Sequence, residues 1–404
     1  MTHSWTELIA ALGATGACCG IGYYGLCLVG VGSFLRSAVG NRSSSIAQHP
    51  PVSILKPLKG TDPEIFESFR SHCLQDYPEY ELIFGVSELD DPAIPLVQQL
   101  QREFPERSIR LVVCPEALGT NMKVSNLIQM LPEARYKHVI VNDSDICVPQ
   151  DYLRWIMAAF DSQDDGARVG MVTCMYRGQA PQKGRSTLGS KLEALGISTE
   201  FHAGVLAARK LEGGIHFALG STLAFTREAL DAIGGFLPVV DYLADDFELG
   251  LRISQAGYRV ELAPVVVDTH VPPYSLGGFF RHQLRWARGM RHSRKRGWAG
   301  VCLTFALPWS LLAVIASGGA AWIWAVVAGS AAMRLAVALA VGWSVLRDRQ
   351  VLRWWYLVPL RDVIGLAVWL ASYTGDTVAW RGDEFILKDG KLSRSHREVS
   401  VGGD

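Results

Sequence analysis

Charge is what this chain has least of. Asp, Glu, Lys and Arg make up 19% of its 404 residues, 39 acidic against 39 basic, where a soluble domain carries about a quarter. That balance leaves no net field to gather a polyanion, which argues against nucleic acid as a partner. No Cys-x-x-Cys pair occurs among the eight cysteines (Cys18, Cys19, Cys27, Cys73, Cys114, Cys147, Cys174 and Cys302), and they form no dense short-loop framework. Neither a zinc site nor a disulfide scaffold is indicated, and reduced thiols facing a cytosol are the simpler reading. Repeats and long low-complexity tracts are also missing. The stub before the first apolar run has neither Lys nor Arg, and that run is long for a signal peptide, so a retained anchor is expected.

The missing charge is missing from the two ends. Residues 8–35 are apolar and uncharged, enough to cross a hydrocarbon core of roughly 30 Å. Arg36 and Arg42 follow, so the positive-inside rule places the next residues in the cytoplasm. After a basic stretch, 281–296, residues 298–317 and 319–346 are spanning candidates. Residues 354–373 are apolar but hold Arg361 and Asp362 at their centre. Because charges in mid-membrane are costly, this segment is expected to be interfacial or re-entrant. The expected organisation is an anchor (1–42), a cytoplasmic catalytic domain (43–270), an amphipathic basic segment (271–297), a membrane region (298–375) and a cytoplasmic tail (376–404).

Between the ends, apolar runs at 52–55, 81–86, 109–113 and 138–141 alternate with helical stretches such as 92–104 and 123–130. Strand, polar turn and amphipathic helix in repetition predict an α/β domain with a mainly parallel sheet. Ligands of such sheets bind beyond the carboxyl ends of the strands, and acidic residues stand there. Val141-Asn142-Asp143-Ser144-Asp145 brings two carboxylates to one strand end, able to share a hard cation that would bridge diphosphate oxygens; a solvated turn is the plainer alternative. Asp245 and Asp246 open a helix that ends near Gly257. One carboxylate there would suffice to cap it, so Asp246 is a candidate general base. On a helix, Arg281, Arg285, Arg288 and His292 share one face. Anionic headgroups would attract such a stripe, whereas Arg285 beside Trp286 also offers a fork for diphosphate and an indole face for a sugar or acceptor.

Together these residues resemble family 2 glycosyltransferases, and more closely the ceramide glucosyltransferase branch with its bacterial relatives that glycosylate hopanoids. The matching stretches are Leu55-Lys56-Pro57-Leu58-Lys59-Gly60, Gln75-Asp76-Tyr77-Pro78, Asp90-Asp91-Pro92-Ala93-Ile94, Asn121-Met122-Lys123-Val124-Ser125-Asn126-Leu127 and Ala379-Trp380-Arg381-Gly382. The resemblance implies a GT-A, Rossmann-like nucleotide-sugar-binding domain between N-terminal and C-terminal membrane helices, at the cytoplasmic side of a bacterial inner membrane. It implies a UDP-sugar donor, a membrane lipid acceptor within the bilayer, Mg2+ or Mn2+ as cofactor, and inversion by single displacement. Residue by residue, it implies Asp91 near the nucleotide base, Lys56 and Lys123 near the uridine and phosphates, and Asp143 and Asp145 on the metal. Asp245 and Asp246 match the Asp-Asp pair, with Asp246 the base, and Arg285 and Trp286 end a (Gln/Arg)-x-x-Arg-Trp motif whose first position here is His282. His202 is a candidate for facing the acceptor, or else a satisfied core histidine. The rival readings are a processive polysaccharide synthase and a non-catalytic membrane scaffold.

Overall fold

A computed structural model of the chain describes residues 2–41, 49–161, 166–181, 185–380 and 383–394. Its centre is an eight-stranded sheet of β1 (Val52–Pro57), β2 (Tyr80–Val86), β3 (Ser108–Val113), β4 (His138–Val141), β5 (Ile146–Cys147), β6 (Val169–Gln179), β7 (Leu223–Thr226) and β8 (Arg259–His270), in the order β3-β2-β1-β4-β7-β6-β8-β5. The first four strands pair in parallel, as their short apolar runs predict. β1 and β2 are buried along their whole length, as parallel strands covered on both faces must be. The sheet is mixed beyond that point. β7 runs antiparallel to β4 and β6, while β6 and β8 pair in parallel. The crossover order of the parallel half is Rossmann-like, and it sends β1, β2 and β4 out at one edge.

Among the described residues, three helices are long and apolar enough to cross a membrane by length and composition: Trp5–Ala38, Ala321–Val345 and Arg349–Thr374. A fourth candidate, Lys295–Thr304 with Ala306–Ala316, is bent by 55°. The N-terminal helix packs closely on this bent pair. A Cβ on Gly20 would fall 2.6 Å from that of Ala306, so only a glycine allows the approach there.

Residues 354–373, expected to be interfacial or re-entrant, lie within Arg349–Thr374, a spanning candidate by length and composition, and their ionic groups face protein. Arg334 Nε donates to both oxygens of Asp362, at 2.9 and 3.0 Å, and its Nη1 donates to Thr199 O at 3.0 Å. Arg361 pairs with Glu200 at 3.2 Å. Charges turned into the bundle and paired avoid the cost that would push the segment to the interface. Asp362→Leu should therefore strip Arg334 of its counter-charge and cost about 3–5 kcal/mol, while adding Arg334→Met should recover most of it. A single variant that melts in detergent like the parent would refute this account.

One expectation needs correction, that for residues 376–404. Rather than a tail, they contain a three-stranded antiparallel sheet, β9 (Thr377–Trp380), β10 (Asp383–Lys388) and β11 (Lys391–Arg394). Phe385, Leu387 and Leu392 form its small core with Val378. Leu243 N donates to Gly390 O, Leu392 N to Asp241 O, and Thr120 Oγ1 to Leu392 O, which fastens this sheet to the loops at the carboxyl edge of the large one. Arg381, Gly382, Arg42 and residues 395–404 lie outside the described residues.

Candidate active site

A cavity of about 680 Å³ opens where the carboxyl ends of β1 and β4 meet the helices Asp245–Gln255 and Leu276–Ser293 and the C-terminal sheet. Its floor is the turn after β4. Asp143 and Asp145 both line it, and Ser144 between them donates to Asp62 Oδ2 at 2.5 Å. Thr269 Oγ1 on β8 donates to Asp145 Oδ2 at 2.5 Å. Burial, and then the neighbouring Asp143, push the Asp145 carboxyl up to about 6. Gly220 abuts the opposite side, where a Cβ would fall 3.0 Å from Asp246 Oδ2 and 3.8 Å from Asp143 Oδ2. The two carboxylates thus border one point of the backbone.

Lys123 joins the acidic groups. Asn121 caps its helix, Met122–Met130, by accepting from Val124 N, and so fixes where the side chain starts. Lys123 Nζ lies 2.8 Å from Asp143 Oδ1 and 3.3 Å from Asp245 Oδ2. Burial works against its charge, but Asp143 and Asp245 outweigh that and hold the ammonium charged. Asp246 accepts from its own helix at Phe247 N, 2.8 Å away. Burial, and then Asp245, push its carboxyl up to about 6. Asp246 is thus a carboxylate at neutral pH with unusual basicity, the condition a general base needs.

His282, Arg285 and Trp286 project into the cavity from the helix Leu276–Ser293. The His282 ring stacks on Tyr274 with centroids 5.2 Å apart, and Trp286 meets Phe201 edge-on at 5.8 Å. Further along the same helix, Arg288 donates to Thr377 O, and Arg291 and His292 pair with Asp376. The cavity therefore collects Lys123, Asp143, Asp145, Asp245, Asp246, His282, Arg285 and Trp286.

Three predicted site residues stand behind the lining. Lys56 is buried under the turn, donating to Asp143 O at 2.9 Å, and burial lowers its ammonium to about 8. It supports the Asp-x-Asp turn from below. Asp91 accepts from Gly60 N at 3.0 Å and Ala93 N at 2.8 Å, tying the loop after β1 to the loop after β2. His202 is fully buried, with Nε2 accepting from Tyr176 N at 3.3 Å, and burial lowers it to about 3. It is a core histidine, bonded through Nε2 alone with Nδ1 buried and unpartnered, backing Tyr176 and Phe201, which do face the cavity.

Lining residues absent from the sequence expectations are Asp62, Glu193, and Asp383 and Phe385 of the C-terminal sheet. A signal for the sheet was present: Phe385 and Leu387 alternate with charged or exposed residues, and Asp389-Gly390 is a hairpin turn pair. Nothing local marks Glu193.

Among the described residues, no three His, Cys, Asp or Glu side chains converge to hold a metal by themselves. Magnesium is commonly bound through one or two carboxylates, completing its shell with water and substrate phosphate. Asp143 and Asp145 are such a pair, so the donor set fits a divalent cation that arrives with a diphosphate.

A Rossmann-like half-sheet with an Asp-x-Asp turn at its carboxyl edge, faced by an Asp-Asp pair, places the domain in the α/β, GT-A class. The chain belongs to glycosyl transferase family 21, whose sequence profile matches residues 14–393. Ceramide glucosyltransferase 3 of Caenorhabditis elegans is 26% identical over 240 residues, 59% of this chain and 50% of that protein. The chain spans about half the length of the curated relatives it matches first. Poly-beta-1,6-N-acetyl-D-glucosamine synthase of Staphylococcus aureus is 23% identical over 167 residues, 41% of this chain and 38% of that one. Among solved structures, a mannosyltransferase of Pyrobaculum calidifontis in complex with GDP-Man and Mn2+ aligns over 90% of this chain and 99% of its own at 18% identity, with a TM-score of 0.49.

Proposed function

We propose that this protein is a membrane-bound inverting glycosyltransferase that moves a hexose, glucose or N-acetylglucosamine, from a UDP-sugar to the hydroxyl of a membrane lipid of ceramide or hopanoid type. The observation that carries this reading is the convergence of Asp143 with Asp145, Asp246, and Arg285 with Trp286 on one cavity, one wall of which leads straight into the spanning candidates. The domain lies at the cytoplasmic face, as the arginine that follows the first helix predicts.

In the reaction, Asp246 takes the proton of the acceptor hydroxyl, and the oxygen attacks the anomeric carbon opposite the departing UDP. Lys123 keeps Asp143 and Asp245 in place, and Arg285 binds the diphosphate as charge develops on it. A Mg2+ or Mn2+ held by Asp143 and Asp145 would neutralise the same charge. Trp286 and Phe201 give the acceptor an aromatic wall.

A processive synthase reading draws on the staphylococcal relative. It needs a channel for the growing chain. Purified protein in vesicles containing ceramide or a hopanoid alcohol should move label from UDP-glucose or UDP-N-acetylglucosamine into the lipid extract. Label appearing in a water-soluble polymer instead would establish the synthase, and free sugar alone would leave no transferase.

A further inference from the structure

Glu193 is a buried carboxylate in the cavity wall that the reaction above does not use. It projects from the helix Leu188–Gly196, and its two oxygens are divided between neighbours on the helix Leu276–Ser293. Oε1 lies 3.3 Å from His282 Nδ1, and Oε2 accepts from Gln283 Nε2 at 2.8 Å. Gln283 Oε1 in turn accepts from Arg361 Nη2 at 2.5 Å. That guanidinium lies so close over Gly196 that a Cβ there would fall 2.5 Å from its Nε. One carboxylate thus fixes two consecutive residues of the wall and ties them to a spanning candidate.

The consequence for His282 follows from which atoms can donate. An ionised carboxylate only accepts, so the hydrogen on the ring must sit at Nδ1 when that nitrogen faces Glu193. Burial works to raise the Glu193 carboxyl, but His282, Arg361 and Gln283 together outweigh it and keep the group below the usual range. With Nδ1 turned toward that charge at 3.3 Å and given no other partner, a neutral imidazole favours its hydrogen there and its lone pair at Nε2, on the far side of the ring from Glu193. His282 lines the cavity and is steadied by Tyr274 beneath it.

We propose that Glu193 is a positioning residue: it sets the tautomer and orientation of His282 so that Nε2 accepts a hydrogen bond from a hydroxyl in the cavity, belonging to the donor hexose or to the acceptor. The inference rests on the UDP-sugar reading above. Outer partners that orient a metal-ligating histidine are worth about tenfold or more in metal affinity, and a similar factor is expected for the hydroxyl here.

The test is a double-mutant cycle of E193Q and H282Q in the full-length protein in detergent, with affinities for UDP and UDP-sugar and the KM for lipid acceptor. A glutamine at 282 carries its own carbonyl acceptor and needs no partner to set a tautomer. If the hydroxyl is the donor's, E193Q should weaken UDP-sugar about tenfold and leave UDP unchanged. If it is the acceptor's, the KM for lipid should rise by a similar factor with donor binding intact. In the H282Q background either effect should shrink to less than about twofold. The same loss in both backgrounds, no loss at all, or an equal loss of UDP binding would overturn the proposal. E193D, which keeps the charge but withdraws it, serves the same cycle if E193Q does not fold. A parent that binds no UDP overturns the donor reading and this inference with it, whereas a parent that binds UDP beside an additive cycle overturns only this inference.

Discussion

Replacing Asp246 by Asn is expected to lower kcat by about a thousandfold, within the range of a lost general base, while UDP still binds. Asn keeps the Oδ1 that accepts from Phe247 N, so the helix start survives and the loss falls on chemistry. The pH profile sharpens the expectation. The Asp246 carboxyl is pushed up to about 6 by burial and by Asp245. An acid so raised is protonated, and useless as a base, below that pH. The parent rate should therefore fall about tenfold per unit below pH 6 and level off above it. Asp145 is raised to about 6 as well, and the two are separable. Metal competes with the proton on Asp145, so a limb that moves to lower pH with added Mn2+ belongs to Asp145 and one that stays belongs to Asp246. An Asn variant with near-normal turnover would remove Asp246 from the mechanism.

Removing divalent ions should be comparably damaging. Chelation is expected to lower activity by about a hundredfold or more, the scale of losing a principal source of charge stabilisation, with recovery on adding Mg2+ or Mn2+. Asp145→Asn should weaken Mn2+ binding measured by electron paramagnetic resonance, independently of turnover. In the parent, Mn2+ affinity should fall from pH 7 to pH 5 by about tenfold per unit once the proton must be displaced from Asp145. Activity that persists in excess chelator would end the metal assignment, leaving Lys123 and Arg285 as the cations facing the leaving group.

The legible parts of this molecule were those that local chemistry decides. β1, β2 and β4 are continuous apolar runs, and the Asp-x-Asp after β4 stands where a parallel sheet presents its ligand edge. The Asp-Asp pair and the Arg-Trp pair could be found by residue type. Which side of the lining a residue takes was a different matter. Lys56, Asp91 and His202 stand behind the cavity lining, where each satisfies a backbone group of the protein. For Arg361 and Asp362 the partners, Glu200 and Arg334, come from distant segments that no local pattern connects to them. Glu193 was invisible for the same reason: its two partners lie 89 and 90 positions away.

The small C-terminal sheet has a consequence in time. Trp380, Asp383 and Phe385, which close the cavity, are synthesised after every spanning candidate in the chain. A nascent domain can complete β1 to β8 and expose its aspartates long before that wall exists. The catalytic cavity is therefore finished only when the last helices have been made and the final hairpin has folded back onto the loops at 241–243. A chain truncated before β9 should carry Asp143, Asp145, Asp245 and Asp246 and still lack an enclosed site.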